Sequence, residues 1–156
     1  MKGSTHLLGG LAAAVATYHT IHIDSPTIFY VSAIIGSMIP DICHPNSMIG
    51  RRLKVISKPL NKAFGHRTIT HSLLFLLAIY WITSQLPTSY SSEIQVGLTA
   101  GMISHFILDA MTARGIQLFY PIKAMIRLPF YTKTGSAIGE GFVSIGLLVV
   151  IIYNLI

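Results

Sequence analysis

Acidic side chains are scarce in this chain: its 156 residues include five Asp and Glu, against eleven Lys and Arg. Charge of either sign is scarce too. Charged residues make up 10% of the chain, where a water-soluble domain carries about 25%, so there is too little polar surface to cover the molecule in water. With a mean hydropathy of +0.64 and apolar runs approaching the ~20 residues that span a bilayer, the chain reads as an integral membrane protein. A single cysteine, Cys43, excludes an intrachain disulfide and leaves the redox compartment open. Internal repeats and low-complexity tracts are absent, and the length suits one domain over residues 1–156. The net charge of +6 invites a nucleic-acid reading. In a membrane protein, however, the distribution of basic residues outweighs their sum, and nucleic acid is not expected as a partner.

What is present divides into five apolar segments, expected as helices over residues 6–18, 27–39, 70–86, 93–113 and 138–156. The first is rich in Gly and Ala, which favours close helix packing over lipid contact. It is short and alanine-rich like a secretory signal, but cleavage would discard His6, so it is read as a retained helix. A long basic loop over 44–69 separates the second and third helices. The stretch 114–135 carries Phe119–Tyr120 and Phe130–Tyr131 beside prolines and basic residues, the pattern of a segment lying at headgroup level. The expected fold is therefore all-α, a bundle of about five transmembrane helices. Five spans put Lys2, the 44–69 loop and the 114–135 segment on one side, and these hold all eleven Lys and Arg. The positive-inside rule then places the N-terminus and both long connections in the cytoplasm.

The unusual polar residues gather on that side. Asp41 and His44 end the second helix, His66 and His71 lead into the third, and His6 and Glu140 begin the first and last. His105 and Asp109 share one face of the fourth helix at i, i+4 spacing. His19 and His22 read as interfacial polar residues, and Cys43 as a small buried hydrophobe beside the metal-ligand types. The basic loop reads as a topology signal and an attraction to anionic headgroups. Arg67 differs because it follows His66 directly, which suits a phosphate contact. An intramembrane charge such as Asp109 is costly without a partner. A divalent cation, zinc above all, held by carboxylate and imidazole supplies one. The expected ligands are His6, Asp41, His44, His66, His71, His105 and Asp109, with Arg67 on the substrate phosphate and Glu140 as a base or further ligand. A catalytic zinc takes about three protein ligands, so seven favour two ions about 3.5–4 Å apart, unless some are outer partners of the ligands.

Four motifs occur in order: Thr5-His6, P-D-x-x-H-P over 40–45, G-H-R-x-x-T-H-S over 65–72 and S-H-x-x-x-D-x-x-T-x-x-G over 104–115. They closely resemble the YdjM-like family of bacterial inner-membrane proteins, regarded as metal-dependent hydrolases and also described as LexA-binding. That family is in turn distantly similar to zinc-dependent phospholipase C and the zinc single-strand nucleases, helical enzymes whose His and Asp ligands include an H-x-x-x-D pair like His105 and Asp109. The resemblance implies a phosphoesterase site in the bacterial inner membrane. This chain departs from the soluble phospholipases in lacking an N-terminal tryptophan ligand. A lipid or lipid-linked phosphoester is the expected substrate, because the site lies where such headgroups lie. The leading alternative is a divalent-cation transporter, although transport sites favour the midplane and internal repeats. A non-catalytic regulator binding a cytoplasmic partner through the basic loop would leave His105 and Asp109 without a use. No feature of the sequence specifies an oligomeric state.

Overall fold

Glycine sets how closely the central helices approach. A Cβ at Gly97 or Gly101 would overlap the backbone at Phe29 or Ala33, and one at Gly36 would overlap that at Leu98. Two helices can touch backbone to backbone only where such side chains are missing. The computed structural model describes residues 1–156 and has six α-helices and no extended strand: α1 (Gly3–Tyr18), α2 (Pro26–Gly36), α3 (Lys54–Phe64), α4 (Leu73–Ser84), α5 (Ser91–Ala110) and α6 (Ala137–Leu155). Two 3-10 turns, Ile39–Cys43 and Ile69–His71, carry part of the polar motif. Pro26 opens α2 at a position where its missing N–H is harmless. Ser72 and Ser136 cap α4 and α6 by accepting from Phe75 N–H and Gly139 N–H.

The contacts give each helix a direction. Along α2 and α5, Gly97 meets Phe29 while Gly101 meets Ala33 and Ser37, so the two run parallel. On α1, Gly9 meets Leu108 and Ser104 of α5, while Thr17 lies near Val96 and Thr99. Those two helices are therefore antiparallel. Phe75, Leu76 and Ile79 of α4 cover Met102 and Phe106, and Tyr80 O accepts from Gln95 Nε2 at 2.9 Å, again antiparallel. Ala12 and Val15 of α1 face Leu147 and Ile151 of α6, running the same way. The five long helices thus alternate in direction along the chain, and the motif-bearing ends meet.

Two segments are long and apolar enough to cross a membrane, Pro26–Cys43 and Ala137–Leu155. The first joins α2 to its 3-10 turn. By about 1.5 Å per residue, α4 with its 12 residues reaches only part of the way across the ~30 Å of hydrocarbon. The expected loop over 44–69 is corrected here, because it contains α3. Lys54, Lys58 and Lys62 line one side of α3, and Val55, Ile56, Pro59 and Ala63 the other. Pro59 in its interior, the residue at which a helix would be ended, obscures that period. The 114–135 stretch is pinned by isolated bridges, Thr112 to Thr132 and Ile116 to Ile126.

Candidate metal centre

Four elements bring the polar motif together. His6 sits on the first turn of α1 and Asp41 in the turn that ends α2. His71 ends the turn before α4, and His105 and Asp109 occupy the last turns of α5. His6, His71, His105 and Asp109 are each exposed by 1% or less. Such burial of four ionisable groups is tolerable only if every lone pair and proton has a destination.

The hydrogen bonds decide where the imidazole lone pairs point. His105 Nδ1 lies 2.7 Å from the Ser37 carbonyl, which can only accept, so Nδ1 donates and Nε2 carries the lone pair. Thr70 Oγ1 donates to Cys43 Sγ at 3.0 Å, leaving its oxygen to accept from His71 Nδ1 at 3.1 Å. His71 Nε2 therefore also carries a lone pair. These two Nε2 atoms stand 3.2 Å apart, facing each other, which is repulsive unless a proton or a cation lies between them. Two nitrogens on one tetrahedral zinc at ~2.0–2.1 Å stand about 3.3 Å apart, so the spacing fits a metal.

Carboxylates complete the arrangement. Asp109 Oδ2 lies 3.4 Å from His71 Nε2 and 3.7 Å from His105 Nε2, and Asp41 Oδ1 lies 4.0 and 3.9 Å from the same atoms. Three ligand groups result: Asp41, His71 and His105; His6, His105 and Asp109; and Cys43, His66 and His71. Within each, the donor atoms lie within 4.8 Å of one another. His71 and His105 are shared between groups, so the geometry can serve one ion or two adjacent ones. The Met1 ammonium contacts Asp109 and lies 3.0 Å from His6 Nε2. Nδ1 of His6 is buried without a partner, and the His6 ring stacks on His105 at 3.7 Å.

Above the cluster opens a polar cavity of about 440 Å³, bordered by Asp41, His44, His66, Arg67, Arg114 and Lys133. Burial, followed by the neighbouring His71, pushes His66 down to about 3, so its imidazole is neutral near pH 7, the form that ligates metal. His44 belongs to none of the three groups and stacks on His66 at 4.6 Å. Arg67 is buried, with φ of 66°. Its Nη2 donates to Asp109 at 2.9 Å and its Nη1 to Thr112, while its Nε has no partner.

Glu140 is not brought to these groups. Its carboxylate accepts from Lys2 N–H at 3.0 Å, Thr5 Oγ1 at 2.8 Å and Gly135 N–H, a bracket between the starts of α1 and α6. Sequence reasoning missed Arg114 and Lys133 as cavity residues. Arg114 lies inside the motif over 104–115 and was open to being found. Lys133 carries no local signal, since only the folding back of the 114–135 stretch brings it there. Thr70 is likewise a motif residue whose role needs the coordinates.

The family described as YdjM inner membrane protein matches residues 1–156. The chain is 47% identical over 137 residues to "Uncharacterized protein YvsG" of Bacillus subtilis, covering 87% of this chain and 83% of that one. It is 38% identical over 121 residues to "Inner membrane protein YdjM" of Escherichia coli and to the Shigella flexneri protein of the same name. That match covers 76% of this chain and 62% of the E. coli protein's length. No solved structure matches the chain.

Proposed function

The chain belongs to the YdjM inner membrane protein family, and from that premise we propose that it is a multi-pass, metal-dependent hydrolase. It cleaves a phosphoester of a lipid or lipid-linked substrate at the cytoplasmic face. The observation that carries this reading is the pair of His71 and His105 Nε2 lone pairs 3.2 Å apart, ringed by two carboxylates beneath a basic cavity. Asp41, His71, His105, Asp109 and His6 hold one or two divalent ions, zinc by donor chemistry, with His66 and Cys43 on the flank. When bound, such an ion makes water a nucleophile near neutral pH and offsets charge on a phosphoryl oxygen.

The chain's own residues do the rest. Ser37 and Thr70 fix the two imidazole tautomers from behind, as outer partners of metal ligands do. Arg67 braces Asp109 and borders the cavity. Arg114 and Lys133 add positive charge at the rim, suiting a phosphate that enters from the headgroup layer. The alternating helix directions support five passages, with α4 and α1 spanning a locally thinned bilayer. The site end then carries every Lys and Arg, as the positive-inside rule requires of a cytoplasmic face.

Elemental analysis of purified protein should find one to two divalent ions per chain, as a one- or two-ion site requires. A panel of phospholipid and isoprenoid-phosphate esters in detergent should give turnover that chelator abolishes. Arg67→Lys should retain metal yet lose at least about tenfold in turnover, roughly 1.4 kcal/mol, because a lysine cannot reproduce the guanidinium fork. Metal uptake into proteoliposomes, with no wild-type hydrolysis of any ester, would assign the chain to cation transport instead.

A further inference from the structure

Beside α1 runs an apolar groove that the metal chemistry does not use. α6 rests on α1 through Leu147 and Ile151, while α5 rests on another side of α1 through its contacts with Gly9. The gap between α5 and α6 stays open because α1 presents only small residues there, Ala13 and Ala16 among them. Ile107 and Met111 form one wall, Phe142 and Gly146 the other, and the cavity volume is about 640 Å³. At about 1.5 Å per residue, the wall from Phe142 to Val150 is roughly 12 Å long.

One end of this groove abuts the polar cavity. The Met111 carbonyl accepts from Thr132 N–H at 3.0 Å, and Ala113 N–H donates to Thr132 O at 3.0 Å. The residues next to that bridge, Ala113, Arg114, Lys133 and Thr134, border the cavity. An apolar channel thus ends against a chamber carrying Arg67, Arg114 and Lys133. Two other apolar grooves, of about 340 and 400 Å³, contain no residue of α6 and none of α5 beyond Ile107, so neither reaches that border.

We propose that the molecule holds a phospholipid in two parts, its phosphate in the basic cavity and one acyl chain in the α5–α6 groove. This rests on the reading of the cavity as a phosphate site and names how the substrate is gripped. An acyl chain suits the groove because its lining is almost wholly apolar. The phosphate supplies the charge complement to the rim. The two parts together select a lipid by its head and its tail at once.

The test uses the full chain in lipid nanodiscs and a phosphatidic acid with a diazirine midway along one acyl chain. Photolabelling should map to residues of the groove on α1, α5 and α6. Diacylglycerol with the same diazirine chain, lacking the phosphate, should label those positions at least tenfold less. Gly146→Phe should cut groove labelling by phosphatidic acid at least tenfold. A Cβ at Gly146 meets nothing within 4 Å, so the ring enters the groove without displacing backbone, and metal content reports that the fold is kept. Gly141→Phe, equally free of contacts but outside the groove, should leave labelling unchanged. Labels scattered around the bundle, or equal labelling by diacylglycerol, overturn the proposal even if Gly146→Phe fails to fold. Labelling is read without turnover, so an inert but correctly labelled protein refutes the hydrolase and not the groove. Hydrolysis of phosphoesters with scattered labelling does the reverse.

Discussion

Two carboxylates are buried at the same end of the bundle, and they are satisfied by opposite kinds of partner. Glu140 accepts from two backbone N–H groups and one hydroxyl, all neutral and all on segments it ties together. Asp109 is met by a guanidinium, an ammonium and three imidazoles, two of which aim lone pairs at each other. The first arrangement is complete as it stands. The second pairs Asp109 with two cations yet leaves the facing His71 and His105 lone pairs, 3.2 Å apart, in need of a proton or a further cation between them. Burial alone would have ranked the two residues together, and the chemistry of the donors separates a brace from a candidate ligand.

Asp109→Asn should break the comparison most severely. Removing the charge that faces His6, His71 and His105 is expected to lower metal affinity by more than about a hundredfold, beyond the loss typical of an outer partner, measured by titration of the metal-free protein. If Asp109→Asn retained its full metal content, the distinction drawn here would fall. Thr70→Val comes next, since it removes the acceptor that holds the His71 tautomer. A loss of about 10–100-fold in metal affinity is expected, largely restored in Thr70→Ser. Glu140→Gln should leave metal content untouched and cost about 1–3 kcal/mol of stability, read from denaturant midpoints in detergent. The last test concerns pH in chelator-treated protein, where no effect is expected near neutrality. His66 sits at about 3 when folded and near 6.5 when unfolded, so the unfolded chain binds a proton first. Stability is therefore fully present above about 6.5 and falls as pH drops towards the folded value. His66→Gln should flatten that acid limb, which a pH series of thermal midpoints would record.

The helices and much of the His–Asp cluster were legible because both leave marks over short sequence distances. Apolar runs mark the helices, and His105 with Asp109 declare a shared face by their spacing alone. The gathering of His6, Asp41 and His71 followed from alternating direction, which counting segments supplies. α3 was hidden because Pro59 interrupts its period. Glu140 was misread as a base or ligand because a lone acid at a helix start looks the same whether it faces metal or backbone. Lys133 reaches the cavity through the Thr112–Thr132 bridge, a pairing with no local signature, and the groove exists only through the unequal way α5 and α6 lean on α1.

The close approach of α2 and α5 at Gly97 and Gly101 has a mechanical side. His105 lies one turn beyond Gly101, and its Nδ1 reaches across to the Ser37 carbonyl on the facing chain segment. The spacing of the two helices therefore acts as a gauge, setting how far the imidazole stands from Asp41. Gly101→Leu would wedge the helices apart and open that gauge without touching a ligand. Seen from the other direction, an ion gripped by Asp41 and His105 would be a rivet through the helix pair. Lateral tension in the bilayer would have to shear it before the bundle could spread.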